Sequence, residues 1–179
     1  MPERTPTREI VVSTADCRFA VPGSRLVACN IVTEVAVAVH IPALEIAALL
    51  ICGLPHFVDS YCSDRNPWLY ADTAIPLLLR RIDAPGVSKS EIRVRAVGGA
   101  STIRDGLRGE RNVAAVCDTL RDEGVLLESS DLGGDSRRSL WFDPKDGRLI
   151  VRTYKQAATS CPSASGLPIL HTEPIAAFR

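Results

Sequence analysis

The chain predicts an α+β fold, a layered sandwich of a mixed or antiparallel β-sheet with flanking helices. Three observations carry this. Two short apolar runs, 34–40 and 46–52, are separated by a connection too short for a helix. Two longer segments repeat apolar residues at helical spacing. The remaining strand-like runs occur both in hairpins and around those helices, rather than in strict strand–helix alternation.

The elements follow in order. Residues 9–13 are a short β-rich run, Pro22-Gly23 marks a turn, and 25–29 reads as a strand. Residues 34–40 read E-V-A-V-A-V-H. Alternating valine and alanine leave no polar face, so this strand is expected to be buried on both sides. Pro42 ends it, 46–52 is a second buried strand, and the short connection makes the two a hairpin. Residues 55–67 are polar and irregular and read as a loop. Asn66 suits a helix N-cap and Pro67 a first helical position. Trp68, Ala71, Ile75, Leu78, Leu79 and Ile82 then recur on one helical face, and Pro85-Gly86 closes the unit. Residues 91–97 alternate as a strand that Gly98-Gly99 stops. A second helix spans 110–123, with Val113, Val116, Cys117 and Leu120 on one face and Gly124 after it. Residues 125–129, 139–142 and 148–153 are strands, and Asp143-Pro144-Lys145-Asp146-Gly147 turns the last hairpin.

With 179 residues the chain has the length of one domain. Residues 1–8 are expected to be a flexible start, 9–153 the folded domain, and 154–179 a disordered or loosely attached tail rich in Ala, Ser, Pro and Thr. Twenty-one basic residues balance twenty-one acidic ones, which points away from nucleic acid and from a membrane surface. The apolar stretch 41–55 is broken by Pro42, Glu45 and Gly53, so no direct membrane insertion is expected. The first eight residues are polar and lack the apolar core of a signal peptide, which makes the expected location cytoplasmic. Cysteines 17, 29, 52, 62, 117 and 161 are irregularly spaced with no CxxC pair, and are expected to be free, mostly buried thiols. Histidines 40, 56 and 171 are scattered, so neither a metal site nor a cofactor is expected.

Three segments stand out beyond these elements. They are Val97-Gly98-Gly99-Ala100-Ser101, Arg108-Gly109-Glu110-Arg111-Asn112-Val113, and the run from Asp131 through Gly133-Gly134 to Ser139. Together with Leu69-Tyr70-Ala71-Asp72-Thr73-Ala74-Ile75 and the W-F-D-P-K-D-G-R-L run from Trp141, they resemble, in order, the motifs of the chemoreceptor glutamine deamidase family, CheD. The resemblance covers residues 9–152. It implies a sandwich fold and hydrolysis of receptor glutamine side-chain amides to glutamate through a cysteine, a histidine and a threonine. It also implies two partners: the cytoplasmic domain of methyl-accepting chemoreceptors and a CheC-type phosphatase.

The same resemblance exposes a departure. The family nucleophile lies in a T-L-G-L-G-S-C-V-A-V segment. The corresponding stretch here runs from Ala28 to Val37, with Ala28 on the threonine, Glu34 on the cysteine and both glycines replaced. The family histidine precedes a Leu-Pro ending, retained as Leu54-Pro55, and its position holds Ile51. Isoleucine can neither take nor give a proton, and a carboxylate cannot become a thiolate. Loss of both glycines is expected to alter the backbone bend.

The expected consequence is a catalytically impaired protein that keeps a binding or adaptor role. Two alternatives stand: an active amidohydrolase rebuilt around Cys29 or Cys52 with His40 or His56, and a binding module outside chemotaxis. Gly98, Gly99, Ala100, Ser101, Gly133 and Gly134 are the expected substrate-binding residues, with tight-turn geometry as their other reading. Asp72, Arg111 and Asn112 are expected to secure helix ends, and Arg137-Arg138 to be a solvated pair.

Overall fold

The valine–alanine alternation of residues 35–41 sits at the centre of the molecule. The computed structural model describes residues 8–57, 66–82, 87–101 and 106–155. Within them run β1 (Arg8–Val11), β2 (Asp16–Ala20), β3 (Ser24–Ile31), β4 (Val35–Ile41), a 3-10 turn (Pro42–Leu44), β5 (Ile46–Cys52), α1 (Ala71–Ile82), β6 (Arg93–Gly98), α2 (Arg108–Asp122), β7 (Leu127–Leu132), β8 (Ser136–Phe142) and β9 (Leu149–Lys155).

These strands form two sheets. One has the order β2-β5-β4-β6-β7, the other β1-β3-β8-β9. Each contains one parallel pair, β6–β7 and β1–β3, among antiparallel ones, so both are mixed. Every residue of β4 is buried because both its edges are paired and both its faces are covered. Val35, Val37, Val39 and Ile41 face a core shared with α1 and α2. Ala36 and Ala38 face the second sheet, in a core with Leu26, Ala28, Leu140 and Phe142. Side-chain size therefore sorts by face: large residues fill the space beneath the helices, and alanines let the two sheets approach. The layers run helices, five-stranded sheet, four-stranded sheet, which is the expected α+β sandwich.

The β4–β5 hairpin forms as expected, with Val35 opposite Cys52 and Ile41 opposite Ile46. Several element bounds shift by two or three residues, among them β7 and β8, and three differences stand out. β2 has no counterpart in the sequence reading; Asp16 and Arg18 disguise it, and in the fold they pair with each other at 2.8 Å on an edge strand. α1 begins at Ala71 rather than Pro67. Asn66 instead caps a separate turn, its side chain accepting the Trp68 N–H at 3.0 Å. The Leu69 carbonyl is committed to the N–H groups of Gly53 and Leu54, so helical pairing starts only beyond it. β9 runs to Lys155, two residues past the expected domain boundary. The rest of the expected tail, Pro85-Gly86 and most of the 55–67 loop lie outside the described residues. Among the described residues no helix is long and apolar enough to cross a membrane.

The outer face of the four-stranded sheet carries arginines stacked on aromatic rings, Arg152 over Trp141 at 5.1 Å and Arg137 over Tyr154 at 5.5 Å. Leu78 of α1 is fully buried, whereas Leu126 is 88% exposed. Leu78→Ala should cost about 2–5 kcal/mol in urea unfolding. Leu126→Ala should stay within about 0.5 kcal/mol of the parent in the same measurement.

Candidate functional site

The site is built on the crossover from β3 to β4. β3 shifts register between Ala28 and Ile31 as it leaves its partner β8. Asn30 there has φ +58°, a left-handed conformation that asparagine tolerates better than most residues. Asn30 stands where the resemblance sets the first of the two glycines, and the chain bends there in a left-handed conformation without one.

Val32, Thr33 and Glu34 then pass between the sheets, each held by a backbone carbonyl. Ala100 N–H donates to Val32 O at 2.7 Å, and Gly99 N–H donates to Glu34 O at 2.7 Å. The side-chain amide of Asn112, fully buried on α2, donates to Thr33 O at 2.8 Å and to Gly53 O at 3.0 Å. It thereby ties the crossover to the end of β5. The next loop joins the same frame through Gly133 N–H to Gly98 O and Ser101 N–H to Gly134 O, both 2.8 Å.

The three motif segments thus converge on one turn. They are spent on holding it: Gly98, Gly99 and Ala100 are buried. A Cβ at Gly98, whose φ is +124°, would overlap the Glu34 carbonyl oxygen. A Cβ at Gly109 would overlap the carbonyl oxygen of Ala100, so the first turn of α2 can approach the segment only with glycine there. Ser101 is half-buried, its hydroxyl 3.4 Å from Glu110 Oε1, and Gly134 is exposed beside Gly133.

A cavity of about 270 Å³ opens on the other side of the crossover. Glu34 and Ile51 line it together with Ser13, Thr14, Cys29 and Asn30. None of the six expected substrate-binding residues does. Ala28 is fully buried in the inter-sheet core, and Ile51, only 3% exposed, belongs to that same core. Two of the three positions that the resemblance sets against catalytic residues are therefore apolar packing. The third, Glu34, is half-buried. Its Oε2 accepts the Val32 N–H at 3.1 Å, and its Oε1 lies 3.5 Å from the Thr14 hydroxyl that donates to it. The Ser13-Thr14 wall was not singled out from the sequence, because no spacing relates it to residue 34.

Among the described residues no hydrogen bond joins a cysteine to a histidine. Cys52 faces the helices rather than the cavity, and burial pushes its thiol pKa far up. Burial also raises Cys17, to about 12, with Arg81 opposing the shift. His40 is buried toward the far end of β4, about 20 Å along the strand from Glu34, and its Nε2 lies 2.8 Å from Pro144 O. His56 is exposed, its Nδ1 3.7 Å from Asp72. Cys29 corrects the expectation of a buried thiol: the bulge in β3 leaves it exposed at the cavity. Cys62 and Cys161 lie outside the described residues. Asp72 sits in the first turn of α1, but its carboxylate accepts the Phe57 N–H of the preceding loop. Arg138 is buried against Asp131 at 2.7 Å rather than solvated, because β8 turns it inward, whereas Arg137 stays exposed.

A family model described as CheD chemotactic sensory transduction matches residues 54–153. A probable chemoreceptor glutamine deamidase CheD of Clostridium kluyveri is 32% identical, covering 82% of this chain and 93% of that protein. One from Clostridium novyi is 28% identical over 81% and 93%, and the chemoreceptor glutamine deamidase CheD of Halalkalibacterium halodurans is 29% identical over 82% and 94%. The chain belongs to the CheD family. The family-model match begins just beyond Ile51, so the segment bearing Ala28, Glu34 and Ile51 falls outside it.

Asn112→Ala removes two hydrogen bonds and strands two carbonyls, and should cost about 2–4 kcal/mol in urea unfolding. Asn112→Asp should cost at least as much, since a carboxylate would face two carbonyl oxygens. Thiol chemistry gives a second test. At pH 8 iodoacetamide should label Cys29 while Cys17 and Cys52 resist until the fold opens, as peptide mass mapping will show. Both buried thiols stay protonated in the fold, whereas unfolded thiols ionise near 9.0. Their contribution to stability should hold below pH 9 and fall above it, by about 1.4 kcal/mol per pH unit per thiol until the folded group itself ionises.

Proposed function

We propose that this chain is a cytoplasmic CheD-family protein that binds chemoreceptors but does not hydrolyse their glutamine amides. One observation carries the reading: the cavity at the family catalytic positions holds a carboxylate at 34 and a buried isoleucine at 51. Amide hydrolysis through an acyl-enzyme needs a nucleophile that a neighbouring base activates, and a proton for the departing ammonia. Ile51 supplies neither. Attack by the Glu34 carboxylate would have to expel ammonia while forming an anhydride, a poor exchange without an acid beside it. Groups that act as a unit lose most of their rate when one is removed, and losing the second adds little. The frame of the turn, in contrast, is complete, which supports retained docking on a receptor or on a CheC-type phosphatase.

A second reading rests on Cys29, which is exposed and lines the same cavity as Glu34. It makes the thiol a relocated nucleophile with the carboxylate as its base. The two separate cleanly. Incubation with a glutamine-bearing receptor fragment should release no ammonia above the blank, and alkylation should reveal no fast-reacting Cys29. Turnover that disappears in Cys29→Ser would instead establish the second reading.

Restoring two family residues should not restore the enzyme. Glu34→Cys combined with Ile51→His should stay at least about a hundredfold below an active relative in ammonia release. Ala28 remains without a hydroxyl, and residue 51 still faces the inter-sheet core. Near-family turnover by this double variant would show that the backbone alone had preserved the site.

A further inference from the structure

The outer face of the four-stranded sheet carries an apolar row between two sets of arginines. Leu26, Leu140 and Phe142 point into the inter-sheet core, so their neighbours Val27 and Trp141 point outward. The ladders set Val11 beside Val27, Val27 beside Trp141 and Trp141 beside Ile150, one apolar row across all four strands. A sheet face turned to water ordinarily carries polar residues at such positions. Val27 is the buried floor of the row and Trp141 is half-buried, whereas Val11 is 66% exposed and Ile150 is exposed at the far edge. Arg25 flanks the row on one side, and Arg152 and Arg137 flank it on the other. Glu9 is the one acid of these strands that faces the same way. Among the described residues none of the three arginines pairs with a carboxylate, and the Nε of Arg25 is buried without a hydrogen-bond partner.

We propose that this face docks an acidic amphipathic helix of a partner protein, with the apolar stripe of the helix along the row and its carboxylates on the flanking arginines. The surface needs nothing from positions 28, 34 and 51, and stands whether or not the chain hydrolyses amides. Charge complementarity carries it. The chain as a whole is neutral, so the positive charge of this face is local. Arg152 lies over Trp141 and Arg137 over Tyr154, which turns the N–H edges of the guanidinium groups outward, where they match carboxylates two bonds at a time. Stacking also fixes these long side chains beforehand, so less freedom is lost when a partner arrives. Three strand spacings make the row about 14 Å long, the rise of about ten helical residues. An apolar stripe bordered by acids on both sides is the helix that fits it. A nucleic acid brings a uniform polyanion with no apolar stripe, and would also meet Glu9. A bilayer calls for apolar side chains that protrude, whereas Val27 is buried and Trp141 lies beneath Arg152.

The test uses the full chain and three stapled helical peptides of about fifteen residues. They share one leucine stripe and differ only in its flanks, which are glutamate, glutamine or lysine. Calorimetry gives the affinities, and NMR follows the backbone amides. The glutamate peptide should shift residues 137–141 and 150–154, bind about tenfold tighter than its glutamine twin, and weaken as salt rises to about 0.5 M. The lysine peptide should not bind. Arg137→Glu combined with Arg152→Glu changes two exposed side chains and should lower the affinity about tenfold or more, whereas Arg137→Lys with Arg152→Lys should keep part of it. Equal affinities for the glutamate and glutamine peptides overturn the proposal, as does binding untouched by the charge reversal, shifts confined to the cavity at 29–34, or no binding by any peptide. Tighter binding to anionic vesicles or to a DNA oligomer at these same residues overturns it in favour of those partners. A dimer in light scattering that the charge-reversed variant dissolves overturns it in favour of a second copy of this chain.

Discussion

The side-chain amide of Asn112 fastens α2 to the open end of the β4–β5 hairpin. It lies fully buried on α2 and donates to the carbonyls of Thr33 and Gly53, one leading into β4 and the other leaving β5. Both partners are acceptors, so the orientation of the amide is determined by the bonds it makes. Among the described residues no donor reaches its own Oδ1. The approach of Gly109 to Ala100 and the contact of Gly98 with Glu34 follow from bringing α2 this close. Without that approach, the turn from 32 to 34 would lack the partners of its carbonyls.

This arrangement separates the frame of the site from its chemistry. Most of what holds the crossover comes from carbonyl and N–H groups, from glycines and from one asparagine. Of the side chains of residues 28, 34 and 51, only that of Glu34 joins in, by accepting the Val32 N–H. Ala28 and Ile51 belong to the inter-sheet core. Glu34 is held by a local bond to Val32 N–H and by the hydroxyl of Thr14.

Much of the fold is legible in the sequence because its signals are local. The valine–alanine strand announces a two-sided burial, and the helical faces of α1 and α2 recur at regular spacing. β2 is not legible, since its charges belong to an edge whose existence depends on β5 being there to pair with it. The start of α1 is hidden for a similar reason: the Leu69 carbonyl is claimed by residues at the end of β5. At the site, the substituted positions are visible through the family resemblance, but the roles of the retained ones are not. Gly98 to Ala100 resemble a binding loop in sequence, yet their burial follows from the nearness of α2 and of residues 32–34. The cavity wall at Ser13 and Thr14 exists only because β1 lies beside β3.

The division of β4 into a valine face and an alanine face has a mechanical consequence. On the helix side, large side chains set a thick layer that can repack around a change. On the other side, Ala36 and Ala38 act as spacers between two sheets, with almost no volume to give. A bulkier residue at Ala36, directly opposite Ile51 in the ladder, would work as a wedge at the cavity end of the sandwich. The sheets would have to hinge apart there, where the layer is already interrupted by empty space. The shape of the cavity is therefore governed by the spacing of two sheets as much as by the residues that line it.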